Sequence, residues 1–462
     1  MQPATTPTLH SLPQRPADFP TLTAALDYAA LGETGMNFFD GHGALYASWP
    51  YKDLREQSVK LAGKLLGLGF SKGERVALIA ETHPDFVLYV FACQYAGLIP
   101  VALPASIKVG AHRAYVEQLR RLLEASDAAL ALSTEGYLTF LQEASEGLNV
   151  RQVSTMQAVV NSPTVVKPLP TIEPDDIAYI QYTSGSTRFP RGVVIRHRTA
   201  MANISGMVTD GLQINAQDRL VSWLPFYHDM GLVGFVLLPV SAQLSVDFLD
   251  TRDFAMRPRL WLKLMTDSQA TIAFAPSFGY DLCARRLRDA DIAKYDLSNW
   301  RVAGIGAEMI RPQTLELFEE KLAASGFDSR AFLACYGMAE CTLGISFSPL
   351  SQGYTTHYID SDHLADAHEV VLMDEQRQGG RGRHFVNCGR PLPSFEVEIR
   401  DDQGRKLEDW KSGVIHVRGP SVMSGYFNTP EDPGCTLAQD GWLNTGDIGY
   451  MADGALTITG RK

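Results

Sequence analysis

Apolar and polar positions follow two rhythms along this chain. Short runs of aliphatic, β-branched and aromatic residues alternate with longer segments whose apolar positions recur every three or four residues. That alternation predicts α/β layers on largely parallel sheet. The clearest strand runs fall at 75–80, 219–224, 271–275 and 300–305. The last three run into Pro225, Pro276 and Gly306, and ligands in open α/β sheets sit beyond the carboxyl ends of strands. Segments 225–231, 276–280 and 306–308 are therefore expected to be neighbours. The uncharged stretch 86–107 is long enough to span a bilayer. Gln94, Gly97, Pro100 and Pro104 instead divide it into a helix and a short strand of buried core, so an integral membrane protein is not expected. After Glu340 the helical rhythm fades, and strand runs at 414–418 and 455–459 predict a smaller β-rich unit, with the boundary in 341–390. The proline-rich residues 1–20 lack the apolar core of a signal peptide and read as a flexible leader.

Residues 183–192 change the picture from fold to chemistry. Thr183, Ser184, Gly185, Ser186, Thr187, Arg188, Arg191 and Gly192 crowd hydroxyls, glycines and guanidinium groups into one connection. The runs on either side, 177–182 and 193–195, read as strands, so the connection is a hairpin tip. A Walker A loop would open a helix with G-x-x-x-x-G-K-[ST], which is not matched. Glycines allow backbone N–H groups close to phosphate oxygens, hydroxyls add donors and arginine supplies a planar fork, so the loop suits a phosphate chain. The whole chain has a formal charge of −11, which excludes a general nucleic-acid binder and makes any anion site local. Six cysteines without C-x-x-C or zinc-like spacing suit reduced thiols and a cytoplasmic location.

Further candidates surround that loop. Tyr336-Gly337-Met338-Ala339-Glu340 offers an aromatic face for a base and a carboxylate able to hold Mg²⁺. Asp447, in a turn, can accept from ribose hydroxyls, and His228 can meet a carboxylate or an α-phosphate. An apolar tunnel would draw on Trp223, Met230, Gly231, Phe235, Phe274, Phe278 and Gly279, although tunnel lining and plain core look alike in sequence. The cluster His357, Asp360, Asp362, His363, Asp366, His368 and Glu369 has metal-ligand chemistry without metal-ligand spacing and reads as a solvated surface loop.

The order of these motifs resembles the adenylate-forming superfamily of acyl-CoA synthetases, peptide-synthetase adenylation domains and luciferases. Residues 223–231, 275–283, 306–308 and 387–391, with Arg188 and Arg191 in the loop, are more specifically similar to fatty acyl-AMP ligases. The resemblance implies two intertwined α/β subdomains over 21–340, an insertion-bearing connection over 341–388, and a small β-barrel-like subdomain over 389–462. It implies that Thr183 to Thr187, Arg191 and Gly192 hold the phosphates of ATP, Arg191 standing where most members have lysine. Gly306, Ala307, Glu308, Tyr336, Gly337 and Met338 would frame AMP, Glu340 would bind Mg²⁺, and Asp447 and Arg461 would meet the ribose or α-phosphate. His228, Arg191 and Glu340 would serve the reaction itself.

The implied activity is conversion of a medium- or long-chain fatty acid and ATP to an acyl-adenylate, for transfer to an acyl carrier protein. A long-chain acyl-CoA synthetase and a non-catalytic acyl-nucleotide binding module stay open as alternatives. Superfamily members carry a mobile C-terminal lid with a catalytic lysine after the Gly-Arg hinge. The expectation is that the lid is absent here, that Lys462 is not that lysine, and that this form binds ATP and fatty acid but adenylates weakly.

Overall fold

The computed structural model describes residues 12–105, 111–163, 165–183, 191–374, 382–428 and 437–462. Among them, two large sheets and a small one carry the site. The larger has nine strands, running Arg390–Pro391, Gly344–Phe347, Phe332–Gly337, Val302–Ile305, Ile272–Ala275, Arg219–Ser222, Ser245–Leu249, Gly35–Phe39 and Leu45–Pro50. Its central strands pair in parallel, so their carboxyl ends share one edge. The second has six, in the order Gln152–Thr155, Ala128–Ser133, Arg75–Ile79, Ile99–Leu103, Ile177–Thr183 and Arg191–Arg196. A four-stranded antiparallel sheet over Glu396–Arg400, Gly413–Arg418, Leu443–Ala452 and Ala455–Arg461 forms the small β-rich unit.

Local signals build these elements as the sequence reading expects. The uncharged stretch becomes helix Pro84–Ala96 followed by strand Ile99–Leu103. His83 caps the helix by accepting from the Asp85 N–H, proline occupies its first turn, and Gly97 ends it at φ 67. Every helix residue but Asp85 is buried, which explains a segment apolar on all sides. Among the described residues no helix is long and apolar enough to cross a membrane.

An aromatic cluster fixes the strands that carry the site. Trp261 and Trp300 lie 5.1 Å apart, Tyr280 and Phe318 5.0 Å, both edge to face. Such pairs contribute about 0.5–1.5 kcal/mol each beyond area burial. Their polar tips are satisfied locally: the Tyr280 hydroxyl donates to the Gly304 carbonyl and the Trp300 Nε1–H to that of Val302.

Three regions differ from the sequence reading. From Leu12 the leader is docked: the Arg15 N–H donates to Gln243 at 2.7 Å, the Arg15 guanidinium lies over Phe19, and Ala17 and Phe19 are buried. Proline content hid these two apolar anchors. The segment 341–388 is more than a connection, since Gly344–Phe347 continues the nine-stranded sheet and Thr356–Asp360 pairs with Gly382–Val386. The His/Asp cluster is a strand followed by the exposed helix Ser361–Ala367 rather than a loop, and His357 bonds the Tyr450 hydroxyl at 2.6 Å. Among the described residues no group of three or more His, Cys, Asp or Glu side chains is placed to hold a metal.

Candidate active site

The glycine-rich connection is held between paired strands. Ile177–Thr183 and Arg191–Arg196 are antiparallel with Thr183 opposite Arg191, so the stems form a hairpin. Ser184, Gly185, Ser186, Thr187 and Arg188 lie outside the described residues. Thr183 and Arg191 open onto a cavity of about 980 Å³. The same cavity reaches His228, Met230, Phe235, Phe274, Ala307, Glu308, Tyr336, Gly337, Met338, Glu340, Asp447 and Arg461. Residues from seven separate stretches of chain thus converge at the carboxyl edge of the large sheet.

Its polar end holds paired charges. Glu340 is buried and accepts from the Tyr426 hydroxyl at 2.7 Å. Burial pushes its carboxyl up, with the Tyr426 hydrogen bond and the Arg191 charge acting in the opposite direction. The Arg191 guanidinium lies 4.8 Å over the Tyr426 ring. Tyr426 belongs to a strap that lies along strand Arg191–Arg196: the Val194 N–H donates to the Gly425 carbonyl, and those of Phe427 and Met423 to the carbonyls of Gly192 and Glu340. Gly192 thus supports the strap, and nothing in the sequence pairs positions 340 and 426.

On another wall the Tyr336 hydroxyl donates to Asp447 Oδ2 at 2.6 Å, and Arg461 Nε lies 3.7 Å from Asp447 Oδ1. Burial raises the Asp447 carboxyl, partly offset by Tyr336 and Arg461. The Gly306–Glu308 turn follows strand Val302–Ile305, and Ala307 takes φ 66, a left-handed conformation that non-glycine residues adopt mainly under local constraint. Glu308 Oε1 accepts the Phe278 N–H at 2.9 Å. This bond brings together 276–280 and 306–308, as expected from the strand ends.

His228 immediately precedes the helical segment that begins at Asp229. Its Nδ1 lies 2.7 Å from Asp229 Oδ1, which also accepts the Met230 N–H at 2.8 Å. A proton on Nδ1 satisfies Asp229 and leaves Nε2 as the other functional atom of the ring. Burial alone would lower the imidazole, but the Asp229 charge and hydrogen bond outweigh it and raise the pKa.

Four expected tunnel residues do not line the cavity. Trp223 is fully buried and stacks on Phe254 with centroids 3.7 Å apart. Gly279 lets it do so, since a Cβ there would stand 2.6 Å from Trp223 Cζ2. Phe278 is 47% exposed and meets Trp223 edge-on, and a Gly231 Cβ would strike the Pro225 carbonyl at 2.2 Å. These residues support the wall from behind. Gly306 likewise lies behind Ala307, against Cys335. The apolar arm is lined instead by Met207, Leu212, Leu220, Leu238, Ile272 and Leu343 with Phe235 and Phe274. Their ordinary core character left no sequence signal.

Comparison with known proteins agrees with this geometry. The family model described as "AMP-binding enzyme" matches residues 30–427. A Caulobacter vibrioides protein described provisionally as an acyl-CoA synthetase is 44% identical over 456 residues, covering 99% of this chain and 79% of that protein. A medium-chain-fatty-acid–[acyl-carrier-protein] ligase of Teredinibacter turnerae is 36% identical over 307 residues, 63% of this chain and 47% of its own length. A structure from work on the fatty acyl-adenylate ligases of E. coli and L. pneumophila superposes with TM-score 0.92 at 45% identity, covering 97% of this chain and 80% of that one. The L. pneumophila fatty acyl-adenylate ligase in complex with acyl adenylate and pyrophosphate gives 0.86 at 28%, covering 98% and 79%. With its cavity at the carboxyl edge of the sheet and matched over most of its length, the chain belongs to the AMP-binding enzymes of the adenylate-forming superfamily.

Proposed function

We propose that this enzyme activates a fatty acid as its acyl-adenylate. The observation that carries the reading is one continuous cavity joining a charged end, with Arg191, His228, Glu340 and Asp447, to an apolar arm. In the reaction a carboxylate oxygen attacks the α-phosphorus of ATP and pyrophosphate leaves. Two anions must meet, so the protein's contribution is positioning and charge neutralisation. Arg191 and the 183–192 loop hold the phosphates. Tyr336 orients Asp447 for the ribose hydroxyls, and Arg461 approaches from the same side. His228, kept protonated to higher pH by Asp229, draws the fatty carboxylate toward the α-phosphate. Trp223 and Phe278 brace the wall rather than contact the chain.

Mg²⁺ fits this site through Glu340. A hard divalent ion is commonly held by one or two carboxylates plus substrate phosphates, and Glu340 has one oxygen engaged by Tyr426 with the group buried at the cavity wall. When bound it would neutralise phosphate charge. We propose a cytoplasmic setting, supported by described cysteines that are all free thiols.

The acyl acceptor is proposed to be the thiol of an acyl carrier protein, a reading supported by two relatives that are medium-chain-fatty-acid–[acyl-carrier-protein] ligases, the Teredinibacter protein and one from Moorena producens 28% identical over 96% of this chain. The Caulobacter relative's description favours coenzyme A as the second reading. Mass spectrometry of products from fatty acid, ATP and Mg²⁺ with either a carrier protein or coenzyme A decides between them. Acyl-carrier product in excess over acyl-CoA is expected, and preferential acyl-CoA formation would overturn the choice of acceptor.

A further inference from the structure

The apolar arm has a floor. Leu220 and Ile272 are register partners on adjacent strands, and with Leu212 they line the deep end. Behind them Arg301 donates to the Leu212 carbonyl at 3.1 Å and pairs with the buried Asp218 at 2.6 Å, while Thr271 donates to Asp218 at 2.7 Å. An alkyl chain that went further would separate Arg301 from the buried Asp218 and leave that carboxylate without its partner, which is strongly unfavourable.

The side of the arm is a helix running inward from the charged end. His228, Gly234, Phe235 and Leu238 face the cavity in turn, and Leu232–Leu237 winds as a π-helix, a distortion common at functional sites. Gly234 differs from Gly337 and Gly344 on the cavity wall, the first of which would put a Cβ 1.9 Å from the Leu343 carbonyl oxygen. A Cβ at Gly344 would stand 2.7 Å from Phe347 and 3.0 Å from Met207, whereas a Cβ at Gly234 meets only Leu343 Cδ2 at 3.4 Å. The fold therefore has room for a side chain at 234, and that room is the arm itself. Gly234 lies about 9 Å from His228 at the helical rise, roughly the sixth or seventh carbon of an extended acyl chain.

We infer that Gly234 sets acyl-chain length: as glycine it leaves the arm open to the Leu212–Leu220–Ile272 floor, so the substrate is an unbranched acid extending well past this point. The inference rests on the adenylation reading. It adds that a side chain at 234 excludes the distal methylenes while the carboxylate end still binds.

The test measures pyrophosphate release and acyl-adenylate formation by the full chain and its Gly234→Ala and Gly234→Leu variants with hexanoate, octanoate, dodecanoate and hexadecanoate. Each methylene denied apolar burial is worth about fourfold. Gly234→Leu is therefore expected to lower kcat/KM for dodecanoate by roughly 100-fold or more, while hexanoate stays within about threefold. Gly234→Ala should fall between, with an unchanged melting temperature. Equal loss at every chain length, or an unaltered length profile, would overturn the inference. If the unsubstituted chain forms no acyl-adenylate from any acid, the adenylation reading fails instead.

Discussion

Tyr426→Phe removes one oxygen atom from the site and little else. The ring remains under Arg191 and the backbone bridge of Tyr426 to Val193 is untouched. What is lost is the hydroxyl donated to Glu340 at 2.7 Å. Hydrogen bonds to charged groups contribute about 1.5–3 kcal/mol, and a buried acceptor left without its donor bears its desolvation cost. Burial already raises the Glu340 carboxyl, so removing a group that opposes this must raise it further. The variant should need more Mg²⁺ for half-maximal activity, lose roughly 10–100-fold in kcat/KM for ATP, and keep its melting temperature within a few degrees. Below neutral pH its activity should begin to fall at a higher pH than that of the unsubstituted enzyme. The assay is ATP–pyrophosphate exchange across Mg²⁺ concentration and pH, with direct nucleotide-binding calorimetry as a second readout. Unchanged Mg²⁺ dependence and unchanged kcat/KM would refute the role given to Tyr426.

Two further outcomes follow from single groups. Asp229 raises the His228 pKa, so activity that depends on the imidazolium should decline as pH rises through that raised value. In Asp229→Asn the burial that lowers the imidazole is no longer opposed by a charge, so the decline should begin at lower pH, below the ordinary 6.5, and an unmoved alkaline limb in kcat/KM would count against a charged His228. His197 is buried, its Nδ1 accepts the Leu22 N–H, and burial lowers its pKa to about 4. The unfolded chain therefore binds more protons between about pH 6.5 and 4, and folding stability should fall across that window by about 3 kcal/mol. Urea unfolding at pH 7 and 5 should show His197→Gln losing part of this pH dependence, and parallel curves would contradict it.

The sequence exposes what repeats locally and hides what meets across distance. Strand runs ending in Pro225, Pro276 and Gly306 disclosed the sheet edge because ligand sites in such sheets follow topology. The buried helix over Pro84–Ala96 was legible from its uncharged run and from Gly97, with Pro100 and Pro104 beyond it, whereas its start at Pro84 was not. Arg191, Glu340, Asp447 and His228 stood out because charged or titratable groups beside glycine and aromatic residues carry recognisable chemistry. Tyr426 did not, because its partner is 86 positions away and its strap reads as an ordinary loop. The tunnel was only half legible. Phe274 and Met230 reach the cavity, but Trp223, Phe278 and Gly279 brace each other behind it, and periodicity cannot say which side of a strand end a side chain takes.

In the proposed reaction a fatty carboxylate oxygen attacks the α-phosphorus of ATP. Dodecanoate labelled with ¹⁸O in both carboxyl oxygens, incubated with the protein, ATP and Mg²⁺ and then with excess hydroxylamine, tests it directly by mass spectrometry. One ¹⁸O should appear in AMP for each hydroxamate formed, with one equivalent of pyrophosphate. Hydroxamate without label in AMP, or ATP cleavage to ADP and phosphate, would contradict the account.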